Sequence, residues 1–253
     1  MTLGVLGGLG PAASCRFYAL LVQRRSAARD QDHPDVILYS KASVPDRSAW
    51  LVNGEAAENP LPALLEGLAL LERTGASAIA VPCATAHHFY REMQDAVSVP
   101  VLNMLACTAQ ALRREGVTKA ALLATEGSYI SGAFGRALEN EGIEALVPGQ
   151  EGMAALTELI YDIKAGSMPP AASLEAIAAP LLEQGAQRVI LGCTELSLLE
   201  HLRMPTCDPM EFLAEELLGS APAGNVAYGE PPPRPSGHPS TGGERGLQPK
   251  NQF

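Results

Sequence analysis

Short apolar runs alternate along most of this chain with longer segments whose apolar residues recur at helical spacing. Residues 3–6, 36–39, 77–81, 99–102, 119–123, 143–147 and 188–191 read as buried strands. Helices are predicted over 12–25, 60–72, 86–96, 106–114, 129–140, 152–165 and 171–184. In the second of these Leu61, Leu64, Leu65, Leu68 and Leu71 share one face. Gly7-Gly8-Leu9-Gly10 makes a tight turn after the first strand, and Pro11 suits the first position of the helix that follows. Strands alternating with helices predict an α/β fold with parallel sheets covered on both faces.

The pattern repeats. Gly75-Ala76-Ser77-Ala78-Ile79-Ala80-Val81-Pro82-Cys83-Ala84-Thr85 aligns without gaps on Gly185-Ala186-Gln187-Arg188-Val189-Ile190-Leu191-Gly192-Cys193-Thr194-Glu195, at an offset of 110 residues. Val99-Pro100-Val101-Leu102 is echoed by Arg203-Met204-Pro205-Thr206, and Leu3-Gly4-Val5-Leu6 by Ala120-Ala121-Leu122-Leu123. Two similar lobes are expected, each a short parallel sheet flanked by helices and each carrying a cysteine at the carboxyl end of a strand. Ligands of open parallel sheets bind beyond those ends, so facing lobes would place Cys83 and Cys193 on opposite walls of one cleft. The first lobe is expected over 1–100, completed by about 206–218, and the second over 101–205. From 219 to 253 the chain is rich in Pro, Gly and Ser, and reads as a disordered tail.

Composition narrows the function classes. The chain has 253 residues, 47% of them hydrophobic, and a formal net charge of −10. That is enough apolar material for a large core and lacks the basic footprint of a nucleic-acid binder. No run is long enough to span a bilayer and the start carries no signal-peptide pattern, so a cytoplasmic protein without a membrane partner is expected. Five cysteines with no CxxC make a poor disulfide framework and a poor zinc site, and no metal is expected. Gly8 to Ala13 fits the dinucleotide pattern GxGxxA, but Pro11 removes a backbone donor and no acidic residue closes the second strand near Tyr39.

Reduced thiols are left as the candidate chemistry. Inverting an α-carbon requires removing hydrogen from one face and returning it to the other. Two fixed groups, one deprotonated and one protonated, achieve this in both directions, and a thiol suits either role. A helix after each cysteine would favour the thiolate. Cys15, Cys107 and Cys207 have no matched partner and read as packing residues. Backbone amides of the turn around Gly8 would stabilise charge on a substrate carboxylate. His87, four residues after Cys83, is expected within one helical turn of the thiol and able to activate it. Thr85, Thr125 and Thr194 can donate to substrate or cap helices. Glu195 reads as a helix-start residue or a partner for the substrate amine.

Gly7-Gly8-Leu9-Gly10-Pro11, Pro45-Asp46-Arg47, Val81-Pro82-Cys83-Ala84-Thr85-Ala86-His87, Leu123-Ala124-Thr125 and Leu191-Gly192-Cys193-Thr194-Glu195 occur in the order seen in the aspartate/glutamate racemase family. The chain resembles that family from about residue 2 to 217, and its aspartate racemase branch most. The resemblance implies a cofactor-independent racemase of an acidic amino acid (Asp or Glu), a small-molecule substrate and a homodimer. It places the catalytic thiols on Cys83 and Cys193, carboxylate contacts on Ala84 and Thr85, the second-lobe threonine on Thr125, and the substrate-binding cations on Arg47 and Lys164. One position departs: the family usually has Asn after the first cysteine, and Ala84 offers no donor there. A same-fold thiol-dependent decarboxylase, isomerase or hydantoin racemase, and a non-catalytic two-lobe binding protein, are the alternatives.

Overall fold

The computed structural model describes residues 2–220. Two parallel sheets organise it. The first has the order β2–β1–β3, built from β1 (Thr2–Gly7), β2 (Asp35–Ser40) and β3 (Ala76–Ala80); the second has the order β5–β4–β6–β7, built from β4 (Lys119–Leu123), β5 (Glu144–Leu146), β6 (Arg188–Leu191) and β7 (Thr206–Cys207). The central strands β1 and β4 are covered on both faces, and so their apolar residues run nearly without interruption.

Around the sheets stand α1 (Pro11–Arg24), α2 (Arg47–Asn53), α3 (Leu61–Arg73), α4 (Tyr90–Asp95), α5 (Met104–Arg114), α6 (Glu126–Ser131), α7 (Ala133–Asn140), α8 (Gln150–Lys164), α9 (Ala171–Glu183) and α10 (Pro209–Gly219). Among the described residues no helix is long and apolar enough to cross a membrane.

The core follows the strand period of two. Leu3, Val5, Ala78 and Ala80 of the first sheet share one cluster with Ala120, Leu122 and Ile190 of the second, filled in by α1, α5, α7 and α10. The opposite faces form two outer clusters. Leu6, Ile79 and Cys83 pack with α3 and α4, while Ala121, Leu123, Val189, Leu191 and Cys193 pack with α8 and α9.

The structure departs from the periodicity in instructive places. Residues 99–102 form a single bridge, Ile79 to Val101, rather than a strand. Gln94 takes the ladder positions with its side chain, accepting from Val101 N at 2.8 Å and donating to Val99 O at 3.1 Å, and Tyr90 donates to Val101 O. The segment predicted as one helix over 129–140 is two, because Gly132 turns into the left-handed region with φ 63°. Helix 86–96 begins as a 3-10 turn, Thr85–Phe89, before α4.

The return of the chain, expected at about 206, is also adjusted. β7 hydrogen-bonds to β6 in the second sheet, so α10 alone packs back on α1 and α5. α10 continues through Gly219, the expected first residue of the tail; residues 221–253 lie outside the described residues.

Candidate active site

The two thiols line one narrow cleft. Cys83 follows β3 and Cys193 follows β6, equivalent positions in the two sheets, and each is 7% exposed. Ile79 N donates to Pro100 O at 2.8 Å and Val189 N to Pro205 O at 2.8 Å. The two β-turn units therefore match in detail as well as in sequence.

A cation accompanies each sulfur. Arg47 is the first residue of α2 and buried, with Asp46 as the helix cap accepting from Ser48 N and Ala49 N. Its guanidinium donates to Val44 O, Pro45 O and Leu9 O, while its Nε is buried with no hydrogen-bond partner. Burial weakens the charge, but the Cys83 sulfur, Asp46 and Glu195 outweigh this and raise the Arg47 pKa. Lys164 closes α8. Burial opposes its charge too, and Cys193, Glu195 and Asp46 together hold its pKa above the ordinary value.

Glu195, 4% exposed, accepts from the Cys193 thiol at 2.9 Å through Oε2. Its Oε1 is buried without a partner, beside the Gly10 turn. Burial first, then the charge of Glu195, push the Cys193 thiol well above its usual pKa. The thiolate expected from a following helix is therefore not what the structure provides at Cys193: the element after it is only a 3-10 turn, Thr194–Leu198, and a carboxylate sits on the sulfur. Thr194 Oγ1 also reaches Glu195 Oε2, at 3.4 Å.

Opposite these charges the cleft is lined by hydroxyls. Ser48 Oγ donates to Thr125 Oγ1 at 2.9 Å, and Thr85 Oγ1 lies 3.1 Å from Thr125 Oγ1 and 2.8 Å from Ser128 Oγ. Thr125 also caps α6. Ala84 lines the same cleft with its methyl group.

Two expected roles do not survive the geometry. His87 does not reach the thiol: its Nδ1 donates to Cys83 O at 2.9 Å and its Nε2 accepts from Met104 N at 3.1 Å. One helical turn brings the ring back to the cysteine's carbonyl, not its sulfur. Burial lowers the His87 pKa, so the ring is a neutral clamp with no free lone pair for a metal. Gly8 lines the neighbouring chamber rather than the thiol cleft, and its N–H is spent on Ser14 Oγ at 2.8 Å.

Sequence reasoning missed Ser48, Ser128 and the carboxylate of Asp46, to which Tyr161 donates at 3.4 Å. Asp46 ahead of a short helix was a readable cap signal; nothing in the spacing marks the two serines. Among the described residues no group of three or more His, Cys, Asp and Glu side chains could hold a metal.

The sequence profile of the Asp/Glu/hydantoin racemase family matches residues 6–217. The broad-specificity amino-acid racemase RacX of Bacillus subtilis is 28% identical over 226 residues, 86% of this chain and 97% of the relative. Among solved structures, Picrophilus torridus aspartate racemase superposes with a TM-score of 0.73 at 28% identity, over 87% of this chain and 93% of that one. An aspartate racemase homologue from Pyrococcus horikoshii gives 0.70 at 25% identity, over 87% and 98%. With paired thiols at equivalent strand ends and a profile match over most of its length, the chain belongs to the Asp/Glu/hydantoin racemase family of isomerases.

Proposed function

We propose that this protein is a cofactor-independent amino acid racemase in which Cys83 and Cys193 are the two acid–base groups, and that its substrates include Asp and Glu. The observation that carries the reading is the single cleft shared by both thiols, each with its own cation. The thiolate on one side takes the α-proton and becomes a thiol; the thiol on the other side gives its proton to the opposite face and becomes the thiolate. Proton count and charge are conserved, and the reverse reaction exchanges the roles.

The unpaired polar atoms at the cleft suit an amino acid zwitterion. Arg47 Nε is a donor without an acceptor, fit for the α-carboxylate, and Glu195 Oε1 an acceptor without a donor, fit for the ammonium. Lys164 is the second cation that a side-chain carboxylate would use. Thr85 and Thr125 support the carboxylate by hydroxyl donation, the part that Ala84 cannot take.

Incubation with either enantiomer of Asp or Glu in deuterated water should label the α-position. Cys83→Ser and Cys193→Ser should each lower kcat by about a hundredfold or more. A serine variant that racemises at the wild-type rate would overturn the assignment.

A further inference from the structure

Counting hydrogens gives the hydroxyl cluster of the cleft a direction. Ser48 Oγ donates to Thr125 Oγ1 at 2.9 Å, and the N–H of Ser128 reaches the same oxygen at 3.3 Å in the cap of α6. A hydroxyl oxygen has two lone pairs, and both are then taken. Thr125 can only give its own hydrogen, to Thr85 Oγ1 or to Ser128 Oγ, each 3.1 Å away.

One more hydrogen closes the 2.8 Å contact between Thr85 and Ser128. Thr85, Thr125 and Ser128 therefore carry three hydroxyl hydrogens for two bonds, and the one left over sits on Thr85 or on Ser128. Ser128 is buried behind the cleft and does not line it, so a spare hydrogen there would be stranded with no acceptor among the described residues. Thr85 does line the cleft, where a substrate can accept.

Ser48 is what keeps the cluster open. Without its hydrogen Thr125 Oγ1 would have a free lone pair, and Thr125, Thr85 and Ser128 could close a ring in which each donates to the next and none to the cleft. The contact is built into the backbone: a Cβ on Gly127 of α6 would stand 2.6 Å from Ser48 Cα, so glycine lets α2 and α6 come this close.

We propose that Ser48 is a positioning residue, which holds Thr85 as a standing hydrogen-bond donor to the substrate α-carboxylate. The inference rests on the two-thiol reading. When a thiolate takes the α-proton, the electron pair left on the α-carbon spreads into the carboxylate. A donor already aimed there stabilises that added charge more than it stabilises the bound substrate. Ala84, beside Thr85, has no side-chain donor for this part.

Ser48 lines both the thiol cleft and an outer pocket with Val52, Ile160 and Tyr161, which gives an added methyl room. Ser48→Thr and Ser48→Val have the same shape and differ in the hydroxyl. Ser48→Ala removes the hydroxyl without adding bulk, and decides against the parent should the two larger variants lose native circular dichroism. Initial rates are measured with the amino acid that the full-length parent exchanges fastest in deuterated water.

Ser48→Val and Ser48→Ala should each lower kcat by about tenfold with KM within about threefold, while Ser48→Thr keeps both within about threefold of the parent. Ser48→Val or Ser48→Ala as fast as the parent overturns the inference and leaves the racemase reading standing. So does Ser48→Thr as slow as Ser48→Val, or a loss confined to KM. No exchange with any amino acid overturns the two-thiol reading, and the inference with it.

Discussion

Glu195 makes the two thiols unequal. Its Oε2 holds the Cys193 proton at 2.9 Å, while Arg47, a cation, faces Cys83. Burial and the carboxylate hold the Cys193 thiol well above its usual pKa, so in the proposed two-thiol mechanism it rests as the acid; in the direction where that mechanism needs it as the base, the rate should rise with pH as the proton leaves. Glu195→Gln removes the negative charge and lowers the Cys193 pKa. Alkylation of the Cys193 peptide by iodoacetamide, followed by mass spectrometry at fixed pH, should then be faster than in the parent, and an unchanged rate contradicts the coupling.

His87 acts at the same scale but on stability. Its ring ties Cys83 O to Met104 N, and His87→Ala should cost about 1–3 kcal/mol in denaturant unfolding because both backbone groups lose their partner. The folded pKa lies below the ordinary histidine value, so the contribution is present above about 6.5 and lost as pH falls through the folded value. The difference between parent and variant should shrink on acidification; a difference that is constant with pH would contradict the buried neutral ring.

Among the elements, the turn before α1 and the 3-10 turn after β6 meet at the cleft. Gly10 has φ 151°, and a Cβ there would stand 2.3 Å from Glu195 Oε1. Gly10→Ala therefore has to displace the carboxylate that holds the Cys193 proton. A misplacement of this kind should lower kcat by about a hundredfold, against roughly 1–3 kcal/mol of backbone strain in the unfolding curve. Full activity in that variant would show that the contact between the two turns does not position the thiol. The elements also show where periodicity was a sufficient guide. β4 and β6 fall where the apolar runs predict them, because a strand buried on both faces has no polar competitor. Residues 99–102 carry the same kind of run and fail, because the amide of Gln94 takes the backbone groups that a neighbouring strand would have used.

At the scale of the molecule, the last helix closes the central core. Met210, Leu213 and Leu217 of α10 are fully buried, and Arg24 of α1 is paired with Glu211 and Glu215. Burial of three such side chains is worth about 1.5–3 kcal/mol each, comparable together with the roughly 5–15 kcal/mol by which a domain is stable. A chain ending at Asp208 should therefore fail to unfold cooperatively by circular dichroism, although Cys83, Cys193 and the strands β1 to β7 of the described residues precede the cut. A sharp thermal transition in that truncation would show the two sheets to be independently stable.

The sequence by itself determined the sheet-and-helix alternation, the internal repeat and the two cysteines that the repeat pairs, because these depend on local periodicity and on residue identity at strand ends. The neutral clamp at His87, the buried start of α2 that carries Arg47, the hydroxyl group of Ser48, Thr85, Thr125 and Ser128, and the carboxylate on the Cys193 thiol were decided only by the tertiary structure. Each depends on which atom of a side chain meets which neighbour from a distant segment. Hydrogen bonding and charge pairing are settled over a few ångströms in space, and separation along the chain carries little of that information.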